Sequence, residues 1–157
     1  MLSLARSLVV VTSLFAVASL AQDEKAPEKP PEKKEEKKTA TKSDYTLDVS
    51  ATAVEGKVKS DLPFSIVIAP VEGLKVHPQA PLEVKLKTTD GLKAAKPKLG
   101  RADVKSAETA SPELVTTLHA ASAGKQEVEA SVSFFLCSPS WCQRMTDKVV
   151  VAVNVTN

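Results

Sequence analysis

The sequence predicts an all-β fold, an immunoglobulin-like β-sandwich of about seven strands, and three observations carry that prediction. Apolar and polar residues alternate with period two in several short stretches. Turn-forming pairs separate those stretches: Glu55-Gly56, Glu72-Gly73, Asp90-Gly91, Leu99-Gly100 and Ala123-Gly124. The part of the chain that carries both signals, residues 44–157, is of a size to form one sandwich. No period of about 20 to 50 residues repeats, which argues against a solenoid.

Residues 1–21 read as a cleaved secretory signal. Arg6 supplies a positive start, 8–20 is an uncharged apolar run, and the small residues Ser19 and Ala21 precede a cleavage before Gln22. The run is shorter than the roughly 20 residues that a bilayer crossing needs, so no transmembrane span is expected in the mature chain. An uncleaved amphipathic anchor is the alternative. Residues 22–43 form a Lys/Glu/Pro tract with seven Lys, six acidic residues and only Ala as an apolar side chain. Such a segment buries too little to offset the entropy of ordering, and its prolines stiffen it, so it reads as a disordered linker.

Within residues 44–157, Leu47 and Val49 alternate with Thr46, Asp48 and Ser50. Residues 63–69 (PFSIVIA) form a continuous apolar run, as for a strand covered on both sides or near the sandwich centre. Leu82, Val84 and Leu86 alternate with Glu83, Lys85 and Lys87, a half-buried strand. The Ala-rich stretch at 107–110 suggests a helical turn that Pro112 limits. Residues 113–121, 126–137 and 148–156 complete the strand set.

The 126–137 strand and its return contain both cysteines. Val128, Ala130, Val132, Phe134 and Leu136 share one face, while Glu127, Glu129, Ser131, Ser133, Phe135 and Cys137 share the other. In the return strand, Val149, Val151, Val153 and Val155 are the apolar set, and Cys142, Arg144, Thr146 and Lys148 have the opposite parity. Both Cys therefore fall on the polar, outer face at the end of a hairpin turning through 138–141, close enough to be bridged. With Cys137 facing Cys142, Phe135 faces Arg144 and Ser133 faces Thr146. Asp147 would then fall on the core face opposite Val132, which a bulge near Thr146-Asp147 would repair.

Secretion favours an oxidised pair, and two uses stay open. One is a structural staple, although closing about six residues is worth only roughly 2 kcal/mol. The other is a dithiol/disulfide exchange centre, with Arg144 favouring thiolate and Phe135 and Trp141 shielding the sulfurs.

Composition excludes other classes. Two His and two Cys cannot build a self-contained Cys-rich zinc site, and no metal or cofactor is expected. One Trp, one Tyr and a formal charge of +2 leave no case for nucleic acid. Residues 44–157 carry 13 basic and 13 acidic side chains, so net charge suggests no partner. His77 and His119 read as surface or packed polar residues, and Met145 as packing rather than a copper ligand. Asn154-Val155-Thr156 fits a glycosylation sequon, of use only in a eukaryotic secretory route.

Two segments carry a family resemblance. One is Phe64-Ser-Ile-Val-Ile followed by Glu72-Gly-Leu-Lys-Val-His-Pro78 and Ala80-Pro-Leu82; the other is Gly124-Lys-Gln-Glu-Val leading into Phe134-Phe-Leu-Cys137, Cys142 and a Val-rich strand. In these the chain resembles the amino-terminal periplasmic domain of the thiol:disulfide interchange protein DsbD and the related disulfide bond corrector domains. The resemblance implies an immunoglobulin-like fold in a periplasmic or extracellular bacterial protein. It also implies that Cys137 and Cys142 are a redox couple exchanging electrons with thioredoxin-like extracytoplasmic proteins or a membrane electron carrier. The alternative is a non-catalytic immunoglobulin-like binding module of the cell envelope whose disulfide is structural.

Overall fold

The computed structural model describes residues 39–105 and 109–157. The readings of 1–21 as a signal and of 107–110 as a helical turn, and the linker as far as Lys38, lie wholly or mainly outside the described residues. Among the described residues ten strands follow one another: β1 Tyr45–Asp48, β2 Glu55–Lys57, β3 Asp61–Pro70, β4 Lys75–Val76, β5 Glu83–Thr88, β6 Leu92–Ala94, β7 Lys98–Gly100, β8 Glu113–Ala120, β9 Gly124–Cys137 and β10 Cys142–Thr156. They form a β-sandwich. One sheet has the order β1-β3-β8-β6; the other has β2-β10-β9-β5-β7, with β4 beside β5 on the same edge of β9.

Alternation along the strands builds the core between the sheets. Leu62, Phe64, Ile66 and Ile68 of β3 point inward with Leu114 and Leu118 of β8. They meet Val84, Val128, Val132, Phe134 and Leu136 of the opposite sheet. Among the described residues every core side chain lies between Ala40 and Val155, within the compact unit Lys37–Asn157, which holds a core of its own.

Two expectations change and one narrows. Of the two settings read for the 63–69 run, the structure gives the one near the sandwich centre, with β3 between β1 and β8; the run is not covered on both sides, since Pro63 is exposed and Val67 half-buried. Its buried outward residue is Ser65, whose backbone N–H donates to Thr52 Oγ1 (3.1 Å) while Thr52 donates back to the Ser65 carbonyl (2.9 Å). Second, the last residues of the presumed linker pack on the sandwich. Ala40 is buried, and the Gln143 side-chain amide both accepts from its N–H (2.8 Å) and donates to its carbonyl (3.3 Å). A 3-10 turn at Lys42–Asp44 then leads into β1. Third, no bulge relieves Asp147. The β9–β10 ladder runs in one register from Cys142↔Cys137 to Val155↔Gly124, with Asp147 opposite Val132. Its carboxylate instead accepts from Tyr45 Oη (3.0 Å), Lys42 Nζ (2.6 Å) and the Lys148 backbone N–H (2.9 Å). Hydrogen bonding does what the bulge was expected to do.

Candidate functional site: the disulfide hairpin

The tip of the β9–β10 hairpin holds a Cys137–Cys142 disulfide between directly opposite residues with Cα atoms 4.1 Å apart. The Ser138 N–H donates to the Trp141 carbonyl (2.8 Å), so 138 and 141 form the hydrogen-bonded pair and the cysteines the closer, non-hydrogen-bonded one. Ser138 also organises the turn: its Oγ accepts from the N–H groups of Ser140 (3.2 Å) and Trp141 (3.1 Å). Turn chemistry thus places the two cysteines before any bond joins them.

Parity puts both cysteines on the outer face, but the structure separates their exposure. Cys142 is exposed, whereas Cys137 is only 2% exposed. The cause is β4, which pairs with the other edge of β9 and sets Lys75 opposite Cys137 and Val76 opposite Leu136. The chain continues alongside, with the His77 N–H donating to the Phe135 carbonyl (2.9 Å). A position that strand parity assigns to solvent is flanked here on its second edge by a two-residue strand.

The supporting residues take places that the parity argument foresees and roles that it does not. Arg144 stands opposite Phe135, two residue pairs from the cysteines on the same face, but its Nε donates to Ser133 Oγ (3.1 Å), away from the sulfurs. Lys148 is farther along and donates to Glu129 (3.1 Å). Phe135 is half-buried, and Trp141 is half-buried against the edge of the core.

Sequence reasoning missed Lys75, the cation in register with Cys137, and the clamp on the neighbouring turn. His77 Nδ1 accepts from the N–H groups of Gln79 (3.1 Å) and Ala80 (3.0 Å), which makes Nδ1 the unprotonated ring nitrogen. Arg101, from a 3-10 turn at Arg101–Asp103, donates from Nε to the Ala80 carbonyl (3.0 Å) and from its terminal nitrogen to the His77 carbonyl. Burial lowers the Arg101 pKa. No sequence signal links Arg101 to His77, because the link runs through two carbonyls.

Elsewhere, an open trough of about 670 Å³ lies on the other sheet, lined by Asp61, Pro63, Lys96, Val115 and Thr117 among others. Among the described residues no group of three His, Cys, Asp or Glu side chains is placed to hold a metal ion. Among them, too, no helix is long and apolar enough to cross a membrane.

No family model matches the chain, and no curated protein matches it either. Several solved structures are similar to it in part. Domains 4 and 5 of the S-layer protein SbsC align over 71% of this chain at 17% identity, with a TM-score of 0.40. This chain spans only 51% of that one. A conjugate transposon protein from Bacteroides vulgatus aligns over 76% of this chain and 91% of its own, at 14% identity and a TM-score of 0.37. AggA, the major subunit of aggregative adherence fimbriae type I from Escherichia coli, aligns over 72% of this chain and 96% of its own, at 10% identity and a TM-score of 0.33.

Proposed function

We propose that residues 37–157 form a non-catalytic β-sandwich binding module of the cell envelope, in which the Cys137–Cys142 disulfide staples the tip of the longest hairpin. The burial of Cys137, held in the sheet between Cys142 on β10 and Lys75 on β4, carries this reading. An exchange centre needs a thiolate that is stabilised and reachable. Here one sulfur-bearing residue is enclosed, and the Arg144 guanidinium on the same face is directed to Ser133. A disulfide in a chain with an apolar leader suits an oxidising compartment outside the cytoplasm.

The test is the reduction potential of the purified domain. A staple is expected to lie below about −300 mV and to stay oxidised in the presence of a reduced thioredoxin-like protein. A potential well above that value, with rapid exchange, would overturn the reading.

The exposure of Cys142 favours a second reading, thiol–disulfide exchange, which the DsbD-like motifs also support. In it a partner thiolate attacks Cys142 Sγ, the Cys137–Cys142 bond breaks, and Cys137 leaves as a thiolate that takes up a proton. A second partner thiolate then resolves the mixed disulfide, so the partner is oxidised and the pair reduced. Changing Cys137 to Ser should then trap mixed disulfides through Cys142. Recovery of none would count against exchange.

A further inference from the structure

The balanced charge of residues 44–157, 13 basic and 13 acidic side chains, conceals a separation. Along the strands of the six-stranded sheet, the outward positions carry eight cationic and four acidic side chains. The rest of residues 44–157 carries nine acidic and five basic side chains, spread over loops and the other sheet, so the positive excess is concentrated on this one face. Cross-strand register organises the positive side. Lys148, Ser131, Lys85 and Lys98 stand opposite one another in a row across four strands.

Two of the four acidic residues of this face are ion-paired; Glu55 and Glu127 have no ion-pair partner among the described residues. Glu83 sits between Lys85 and Lys98, at 2.8 Å from each, and those two ammonium groups hold its carboxyl down to about 2. Glu129 accepts from Lys148. Lys75 and Lys87 are exposed and have no ion-pair partner among the described residues. The same face presents apolar side chains: Val150 is 55% exposed, and Phe135 is half-buried beside Arg144.

We propose that the outer face of the six-stranded sheet docks on an anionic phospholipid bilayer. An array of long cationic side chains on a pleated sheet matches a plane of phosphates, which attracts Lys and Arg within about a Debye length. Val150 and Phe135 give it apolar groups to seat at the interface. The concavity on this face, along Lys87, Glu127, Glu129 and Val150, is about 190 Å³, shallow for a polymer strand. Charge complementarity also disfavours a second copy as occupant. The outer face of the other sheet, with Asp48, Asp61 and Glu113 set against Lys93 and His119, is not the strongly acidic counterpart that stacking needs.

This inference rests on the binding-module reading and names the surface bound. The vesicle experiment leaves the disulfide intact, so its failure is distinct from failure of the redox test. Purified residues 37–157, which hold a complete core, would be sedimented with vesicles of phosphatidylcholine containing about one quarter phosphatidylglycerol, in about 50 mM salt. Binding is expected to be at least about tenfold stronger than to phosphatidylcholine alone, and to be lost near about 0.5 M salt. K75E/K87E should weaken it by about fivefold or more, whereas K59E/K93E, with the same net charge but off the face, should change it less than about twofold. Equal binding to neutral vesicles, equal loss in both variants, or binding to a soluble polyanion without binding to vesicles would each overturn the proposal.

Discussion

Asp147 stands where an apolar side chain belongs, on the inner parity of β10 between Met145 and Val149. It is tolerated because Tyr45, only 3% exposed, turns its hydroxyl to the carboxylate and Lys42 reaches it from the chain entering β1. The Lys42 hydrogen bond is the chief cause that lowers the Asp147 pKa, and burial followed by Asp147 pushes Tyr45 up to about 12. Asp147→Ala would leave a buried hydroxyl without its acceptor, and an expected loss of about 2 kcal/mol should appear in urea unfolding. Tyr45→Phe should cost about 1 kcal/mol, and the double variant less than the sum of the two. The pH dependence follows from the signs. The Asp147 contribution is present above its unfolded pKa, near 4, and fades as pH falls through the lower folded value. The Tyr45 contribution is full below about 10 and lost as pH rises toward about 12. Unfolding midpoints measured across both limbs should flatten at the acid end in Asp147→Asn. The anomaly was legible in the sequence as a charge out of phase, but its remedy was not. Tyr45 and Lys42 lie 102 and 105 residues away, and only the fold brings them to it.

Strand length separates what pattern reveals from what it hides. The register of β9 against β10, with Cys137 facing Cys142, follows from parity because both strands are long enough to repeat a period many times. β2, β4, β6 and β7 have two or three residues each, too few to show any period. Yet β4 decides the exposure of Cys137. Two predictions belong to this scale. The turn and ladder already hold the cysteines together, so replacing both by Ala should cost no more than about 2 kcal/mol, with the hairpin register retained in amide-exchange protection. A much larger loss would mean that the bond organises the sheet rather than trimming it. Arg101→Ala should release the two carbonyls that fix the His77–Ala80 turn beside β4. Opening of that turn uncovers Cys137, so reduction by an excess of small thiol should quicken by about threefold or more, with little change in far-ultraviolet circular dichroism. An unchanged rate would place the protection in the β4–β9 pairing alone.

At the scale of the whole molecule, the sandwich joins residues distant in sequence: β1 pairs with β3, β8 bridges β3 and β6, and β2 returns to run parallel with the end of β10. Alternation made the two-sheet class legible, because each long strand carries one apolar face that must be covered. It could not show where the domain begins, since residues 39–43 are polar apart from one alanine and read like the tract before them. What distinguishes them is a partner 103 residues away. Gln143 matches both backbone groups of Ala40, and Lys42 completes the set around Asp147. These contacts are all to inner-parity side chains of β10, so the segment is held by side chains that only the folded strand presents. A chain begun at Asp44 should therefore fold to the same sandwich, but with a thermal midpoint lower by about 3–8 °C than one begun at Lys37. If residues 39–43 were only linker, the two midpoints would coincide. A lowered midpoint that returns when Asp147→Asn is compared in both chain lengths would assign the effect to the Lys42 contact, and one that persists would assign it to the Gln143 clamp.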